Sequence, residues 1–142
     1  MSDFTKVQDG DGIATLTWNC VDRPMNIMSE QGFIDLNSLI DDCISDDTTL
    51  GVIITSAKKD FAAGMDLGVI AKTKEKNPDN PAKGCFDMVM QIHQILRKIE
   101  LAGMDFKSKK GGKPFVAVLP GTALGIGLEI PLACHYLSLI HI

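Results

Sequence analysis

Leu50-Gly51-Val52-Ile53-Ile54-Thr55, with Phe61-Ala62-Ala63-Gly64-Met65-Asp66 soon after it, decides how the chain folds. The first stretch is short and almost wholly apolar, as a strand covered on both faces would be. The second is a loop of small residues, and Leu67 to Ala71 opens a helix behind it. The same succession returns downstream. Pro114 to Leu119 (PFVAVL) reads as another buried strand, Pro120-Gly121 turns the chain, and Gly125 to Cys134 starts a helix.

Working outward, Ile13 to Asn19 (IATLTWN) follows the turn signal Asp9-Gly10-Asp11-Gly12 and reads as a strand in a hairpin with Phe4 to Gln8. Arg23-Pro24 breaks the chain. Ser29 then caps a helix whose apolar positions Phe33, Leu36, Leu39, Ile40, Cys43 and Ile44 recur at helical spacing, until Asp46-Asp47 end the pattern. Lys72 to Gly84 is polar, carries two prolines and alternates in charge, which predicts a mobile surface loop. Phe86 to Ile99 predicts an amphipathic helix, and Lys107 to Lys113 a basic loop. Strands alternating with helices give an α/β protein with parallel crossovers.

Composition narrows the function classes. With 142 residues and 45% apolar content the chain is long enough for one domain with a real core. A net charge of −4 argues against a broad nucleic-acid surface. No apolar stretch is long enough to span a bilayer, and Met1 to Lys6 lacks the layout of a secretory signal, so a cytoplasmic protein is expected. Cys20, Cys43, Cys85 and Cys134 form no CxxC pair and are expected to be free thiols. His93, His135 and His141 have no ligand spacing, so no metal is expected. Gly125-Ile126-Gly127 lacks the third glycine of a dinucleotide fingerprint, and Gly111-Gly112-Lys113 runs into a proline and a strand where a phosphate loop needs a helix.

The two Gly-containing turns carry the chemical interest. Such turns let backbone N–H groups face a ligand with no side chain in the way, and two of them converging on one oxygen would stabilise an oxyanion. Ordinary strand-to-helix turns have the same spacing, and the residues alone leave both readings open.

Phe61-Ala62-Ala63-Gly64-Met65-Asp66-Leu67 resembles the first signature of the crotonase (enoyl-CoA hydratase/isomerase) family. Lys113-Pro114-Phe115-Val116-Ala117-Val118, then Gly121 to Glu129 and Leu132-Ala133-Cys134-His135, resembles the second, and Asn26 sits where the family has an asparagine. The likeness runs from Gly12 to His135, and its wording is similar to the hydratase region of multifunctional fatty-acid oxidation proteins, in which a 3-hydroxyacyl-CoA dehydrogenase follows.

The resemblance implies a crotonase-like ββα spiral core over residues 1–136, incomplete at its C-terminus, with 137–142 an unmatched tail. It implies the Met65 and Ile126 N–H groups as an oxyanion hole, Glu129 as a catalytic carboxylate, and Ala63, Gly64, Asp66 and Gly125 along the acyl-CoA thioester. The family's second glutamate would fall beyond Ile142. No cofactor is implied, because coenzyme A is part of the substrate; NAD would enter only with a dehydrogenase part. The parent protein would be a homotrimer, or a complex with a thiolase if multifunctional. Three functions stay open: enoyl-CoA hydratase in fatty-acid β-oxidation, enoyl-CoA isomerase, and an inert or acyl-CoA-binding piece.

Several residues have plainer readings. Ile126 stands where the family usually has glycine, and a β-branched residue there resists φ > 0 and narrows the cleft. Glu129 alone would be a solvated glutamate in a helix's first turn. Asp66 organises a turn or caps a helix. His135 reads as a packed or hydrogen-bonded histidine. Lys107, Lys109, Lys110 and Lys113 form a solvated basic loop, with coenzyme A phosphates as the functional alternative.

Overall fold

The hairpin predicted at the N-terminus is present: β1 (Phe4–Gln8) pairs antiparallel with β2 (Ile13–Trp18). The turn between them is held by the Asp9 carboxylate, whose Oδ1 accepts the amides of Asp11 at 3.0 Å and Ile13 at 2.9 Å, while Gly12 takes φ +79°. Alternation along β2 buries Ala14, Leu16 and Trp18 on one face. The Trp18 ring stacks on Phe4 at 5.1 Å and meets Phe61 edge-on at 5.9 Å, so the core begins where the sheet meets the loop that starts at Phe61. The computed structural model describes residues 2–139.

α1 (Glu30–Ser45) starts as its cap demands, with Ser29 Oγ accepting the Gly32 amide at 2.9 Å. Gly32, Leu36, Ile40 and Cys43 form its buried stripe. Its C-terminal carbonyls are met by Lys113, whose Nζ donates to Cys43 O at 2.8 Å and Asp46 O at 2.7 Å. At least this lysine of the basic loop therefore serves a helix end, and Lys109 lies 3.7 Å over the Phe106 ring.

β3 (Gly51–Ser56), α2 (Leu67–Lys76), α3 (Pro81–Leu101), β4 (Phe115–Leu119), α4 (Ile126–Ala133) and β5 (Tyr136–Leu139) follow. The five strands form one sheet in the order β1-β2-β3-β4-β5, parallel from β2 onward. The α/β class with parallel crossovers is thus observed. Tyr136 to Leu139 extend the sheet as β5; of the segment 137–142, residues 140–142 lie outside the described residues.

One expectation fails. Lys72 to Gly84 is not a loop: α2 continues through Lys76, and α3 begins at Pro81. Lys72-Thr73-Lys74-Glu75-Lys76 is mostly strong helix formers. Pro81 is preorganised for the first helical position, and Asn80 caps it by accepting the Lys83 amide at 3.0 Å. Only 77–80 remain as the turn. Lys76 pairs with Glu30 at 3.1 Å and Lys98 with Asp41 at 2.8 Å, tying α2 and α3 to α1. Among the described helices none is long and apolar enough to cross a membrane.

Candidate functional site

Adjacent parallel strands deliver their C-terminal ends side by side, and β3 and β4 are adjacent. The loops that leave them are zipped together. The amides of Phe61 and Ala62 donate to Thr122 O at 2.9 and 3.1 Å, and the Leu124 amide donates back to Ala62 O at 3.0 Å. Asp60 Oδ1 accepts the Thr122 amide at 2.9 Å. Hydrogen bonds from Thr122, side chain and amide, hold the Asp60 carboxyl below the usual carboxylate range. Nothing in the spacing of the sequence signalled this clamp.

Gly64 and Gly125 meet at the end of the zipper. A Cβ on Gly125 would lie 3.8 Å from the Gly64 Cα, and one on Gly64 would lie 3.4 Å from Leu124 O. Both take positive φ, +112° and +53°, which is why glycine occupies each. Behind them Gly127 lies so close to the first loop that a Cβ there would stand 2.6 Å from the Ala62 Cβ.

The residue after each of the two glycines presents a free amide. Met65 faces Met28 in a parallel bridge made by its neighbours: the Met28 amide donates to Gly64 O at 2.8 Å, and the Asp66 amide to Met28 O at 2.9 Å. In such a bridge the central residue's own N–H points the other way. Ile126 opens α4, whose first amides have no intrahelical acceptor. Among the described residues neither the Met65 nor the Ile126 N–H donates to another group. Ile126 itself departs from expectation: its φ is not positive, because Gly125 absorbs the strained turn, and its side chain is 4% exposed in the core, away from the surface it was expected to narrow.

Glu129 stands in the first turn of α4, its amide donating to Gly125 O at 3.0 Å. It is exposed and enters no ion pair among the described residues. Asp66 caps α2: its Oδ1 accepts the Gly68 amide at 2.8 Å and its Oδ2 meets Arg23 at 3.0 Å. The Gly68 amide first, and Arg23 after it, lower its pKa. Ala63 is exposed beside it, its amide held by Asn26 O at 2.8 Å. His135 is spent structurally: Nδ1 accepts the Phe115 amide at 3.0 Å and Nε2 lies 3.2 Å from Glu100 O, which fixes the Nε2–H tautomer. A groove of about 630 Å³ lies between α1, α2 and α3 and is lined by Phe33, Val69, Lys72, Met88 and Ile92 among others, not by Met65, Ile126 or Glu129.

The family model for enoyl-CoA hydratase/isomerase matches residues 9–139. The fatty acid oxidation complex subunit alpha of Shewanella frigidimarina is 31% identical over 133 residues, 93% of this chain and 17% of that protein. The peroxisomal fatty acid beta-oxidation multifunctional protein MFP2 of Arabidopsis thaliana is 29% identical over 128 residues, 89% of this chain and 15% of that protein. The chain therefore spans about a sixth of these curated relatives. Among solved structures, an enoyl-CoA hydratase/carnithine racemase from Magnetospirillum magneticum superposes with TM-score 0.79 at 23% identity, over 98% of this chain and 46% of that one. An enoyl-CoA hydratase/isomerase (crotonase) from Legionella pneumophila gives 0.77 at 19%, over 98% and 48%. The fold is the crotonase fold, and the chain belongs to the enoyl-CoA hydratase/isomerase family.

Proposed function

We propose that this chain supplies the oxyanion hole and one of the two carboxylates of an enoyl-CoA hydratase acting in fatty-acid β-oxidation. The observation that carries the reading is the meeting of Gly64 and Gly125, each followed by an amide with no partner among the described residues. The thioester carbonyl oxygen of a 2-enoyl-CoA would accept from the Met65 and Ile126 N–H groups. As water adds to the β-carbon, charge grows on that oxygen, and each preorganised donor is worth about 3 kcal/mol of barrier. Glu129 would move a proton between water and the α-carbon, sharing the task with a carboxylate from outside the chain. Ala63, Gly64, Asp66 and Gly125 would lie along the thioester. Hydration needs no redox cofactor, since neither carbon pair nor water changes its total electron count.

Isomerisation of a 3-enoyl-CoA is the second reading, because a single proton shuttle such as Glu129 suffices for it. The test extends the protein to the length of its solved relatives and follows loss of the conjugated thioester absorbance of crotonyl-CoA. Glu129→Gln should lower kcat by about 10²–10⁴ with the fold intact. Full activity in that variant rejects the role of Glu129, and turnover of a 3-enoyl-CoA without hydration replaces the hydratase by the isomerase.

A further inference from the structure

Asn26 lies between β2 and α1 and is fully buried. Its Oδ1 accepts the Cys20 amide at 2.9 Å. Its Nδ2 reaches Trp18 O at 3.1 Å, Ser56 Oγ at 2.9 Å and Phe61 O at 2.9 Å. Ser56 Oγ in turn donates to Asp60 O at 2.8 Å. One amide side chain thus joins the end of β2, the end of β3 and the start of the loop that leads to Met65.

The main chain of the same segment completes a short ladder. Asn26 O accepts the Ala63 amide, Met28 N donates to Gly64 O, and Met28 O accepts the Asp66 amide. This register consumes the amides of Ala63 and Asp66 and turns that of Met65 outward. In an extended ladder a slip of one residue exchanges the inward and outward groups, so the register decides which amide is left without a partner. The ladder is only a few residues long and cannot fix its own register. The Asn26 side chain can, because it grips Trp18 O and Phe61 O at once.

We infer that Asn26 is the positioning residue that presents the Met65 amide at the site, acting through the loop 61–66. The inference rests on the reading of Met65 as a donor. Its chemistry is selective: a carboxylate of the same shape keeps the acceptor towards Cys20 but loses both donated protons.

The test is Asn26→Asp in the ¹⁵N-labelled chain, read by amide hydrogen exchange and chemical shift at neutral pH and again in mild acid. Exchange at Ala63 and Asp66 should rise roughly tenfold or more, with the β1–β2 ladder far less affected, because the loss is local. Lowering the pH protonates the new carboxyl and returns one donor, so protection at Ala63 and Asp66 should recover. Ser56→Ala, at a half-buried site, gives a smaller local rise at the same amides and serves if the first variant does not fold. A uniform rise across the sheet, or no rise at Ala63 and Asp66, overturns the proposal. Titration with butyryl-CoA separates it from the reading beneath it. In the unsubstituted chain the Met65 and Ile126 amides should both shift, and in Asn26→Asp chiefly that of Ile126. No shift in the unsubstituted chain sinks the donor reading, while the exchange pattern still decides whether Asn26 sets the register.

Discussion

Gly127→Ala should separate the two loops, and the structure gives the size of the effect. The added methyl would stand 2.6 Å from the Ala62 Cβ and 3.3 Å from Ala62 O. Carbon atoms in contact prefer about 3.5–4.0 Å, so α4 and the first loop must part by roughly 1 Å. Neither alanine has a rotamer that could relieve the clash, and the backbone has to move. Overpacking of this kind costs about 2 kcal/mol. The same movement stretches the Leu124 amide's bond to Ala62 O from 3.0 Å to beyond hydrogen-bond range, at about 1 kcal/mol. Alanine returns about 1 kcal/mol of helix propensity over glycine. The net is a loss of about 2 kcal/mol, a fall in Tm of roughly 6 °C for a chain of this size.

Thermal and urea unfolding followed by circular dichroism would measure it. The decisive control is the pair Ala62→Gly with Gly127→Ala, which removes the methyl that the new one meets. The coupling between the two substitutions should amount to about 1–2 kcal/mol in the sense of rescue. If Gly127→Ala is as stable as the unsubstituted chain, or costs the same in both backgrounds, the close approach of the two loops described above is wrong.

Two further outcomes follow from the fold. Lys113→Met keeps the aliphatic stem but strips the last carbonyls of α1 of a charged donor, and should lower the stability in urea by about 1–2 kcal/mol; an unchanged midpoint would place that lysine in solvent. Asp46, Asp60, Asp66 and Asp105 are all held below the ordinary value of 3.8, chiefly by hydrogen bonds from Thr48, Thr122, Gly68 and Ser108 respectively. Their depressed folded values mean that their stabilisation is present above pH 3.8 and is lost as pH falls through the lower folded values. Denaturation midpoints should therefore drop below about pH 4, and less steeply in Asp60→Asn; a flat acid limb contradicts those hydrogen bonds.

Much of this was legible in the sequence because the signals were local. Ser29 announces α1, the Asp-Gly pairs announce the hairpin, and the apolar runs at 51–56 and 115–119 announce buried parallel strands. The segment 72–84 misled because charge alternation and proline suggest a loop, whereas Asn80-Pro81 is a helix start and the lysines before it lie on an exposed helix with no buried residue. At the site, the two glycines were visible, and the resemblance supplied their meaning. What no spacing could reveal was long-range: the Asp60 carboxylate on Thr122, the side chain of Asn26 on Phe61, the Lys113 ammonium on α1, and His135 bridging β4 to the end of α3. Each joins residues far apart in sequence, and pairing of that kind is decided by topology.

Backbone geometry also explains how the fold accommodates Ile126. The donors proposed for the site are main-chain groups, so their direction depends on φ and ψ and on the contact between backbones, not on which side chain follows Gly125. The requirement for positive φ falls on Gly64 and Gly125, and the requirement for close approach falls on Gly127. Ile126 carries neither, and its side chain is buried in the core. Apolar substitutions of similar volume at Met65 and Ile126 that preserve helix and bridge should consequently be tolerated, while changes at the three glycines and Asn26 should not. If the two amides act as proposed, the chemistry of the loop pair is fixed by the residues that shape the backbone rather than by those that supply the amides.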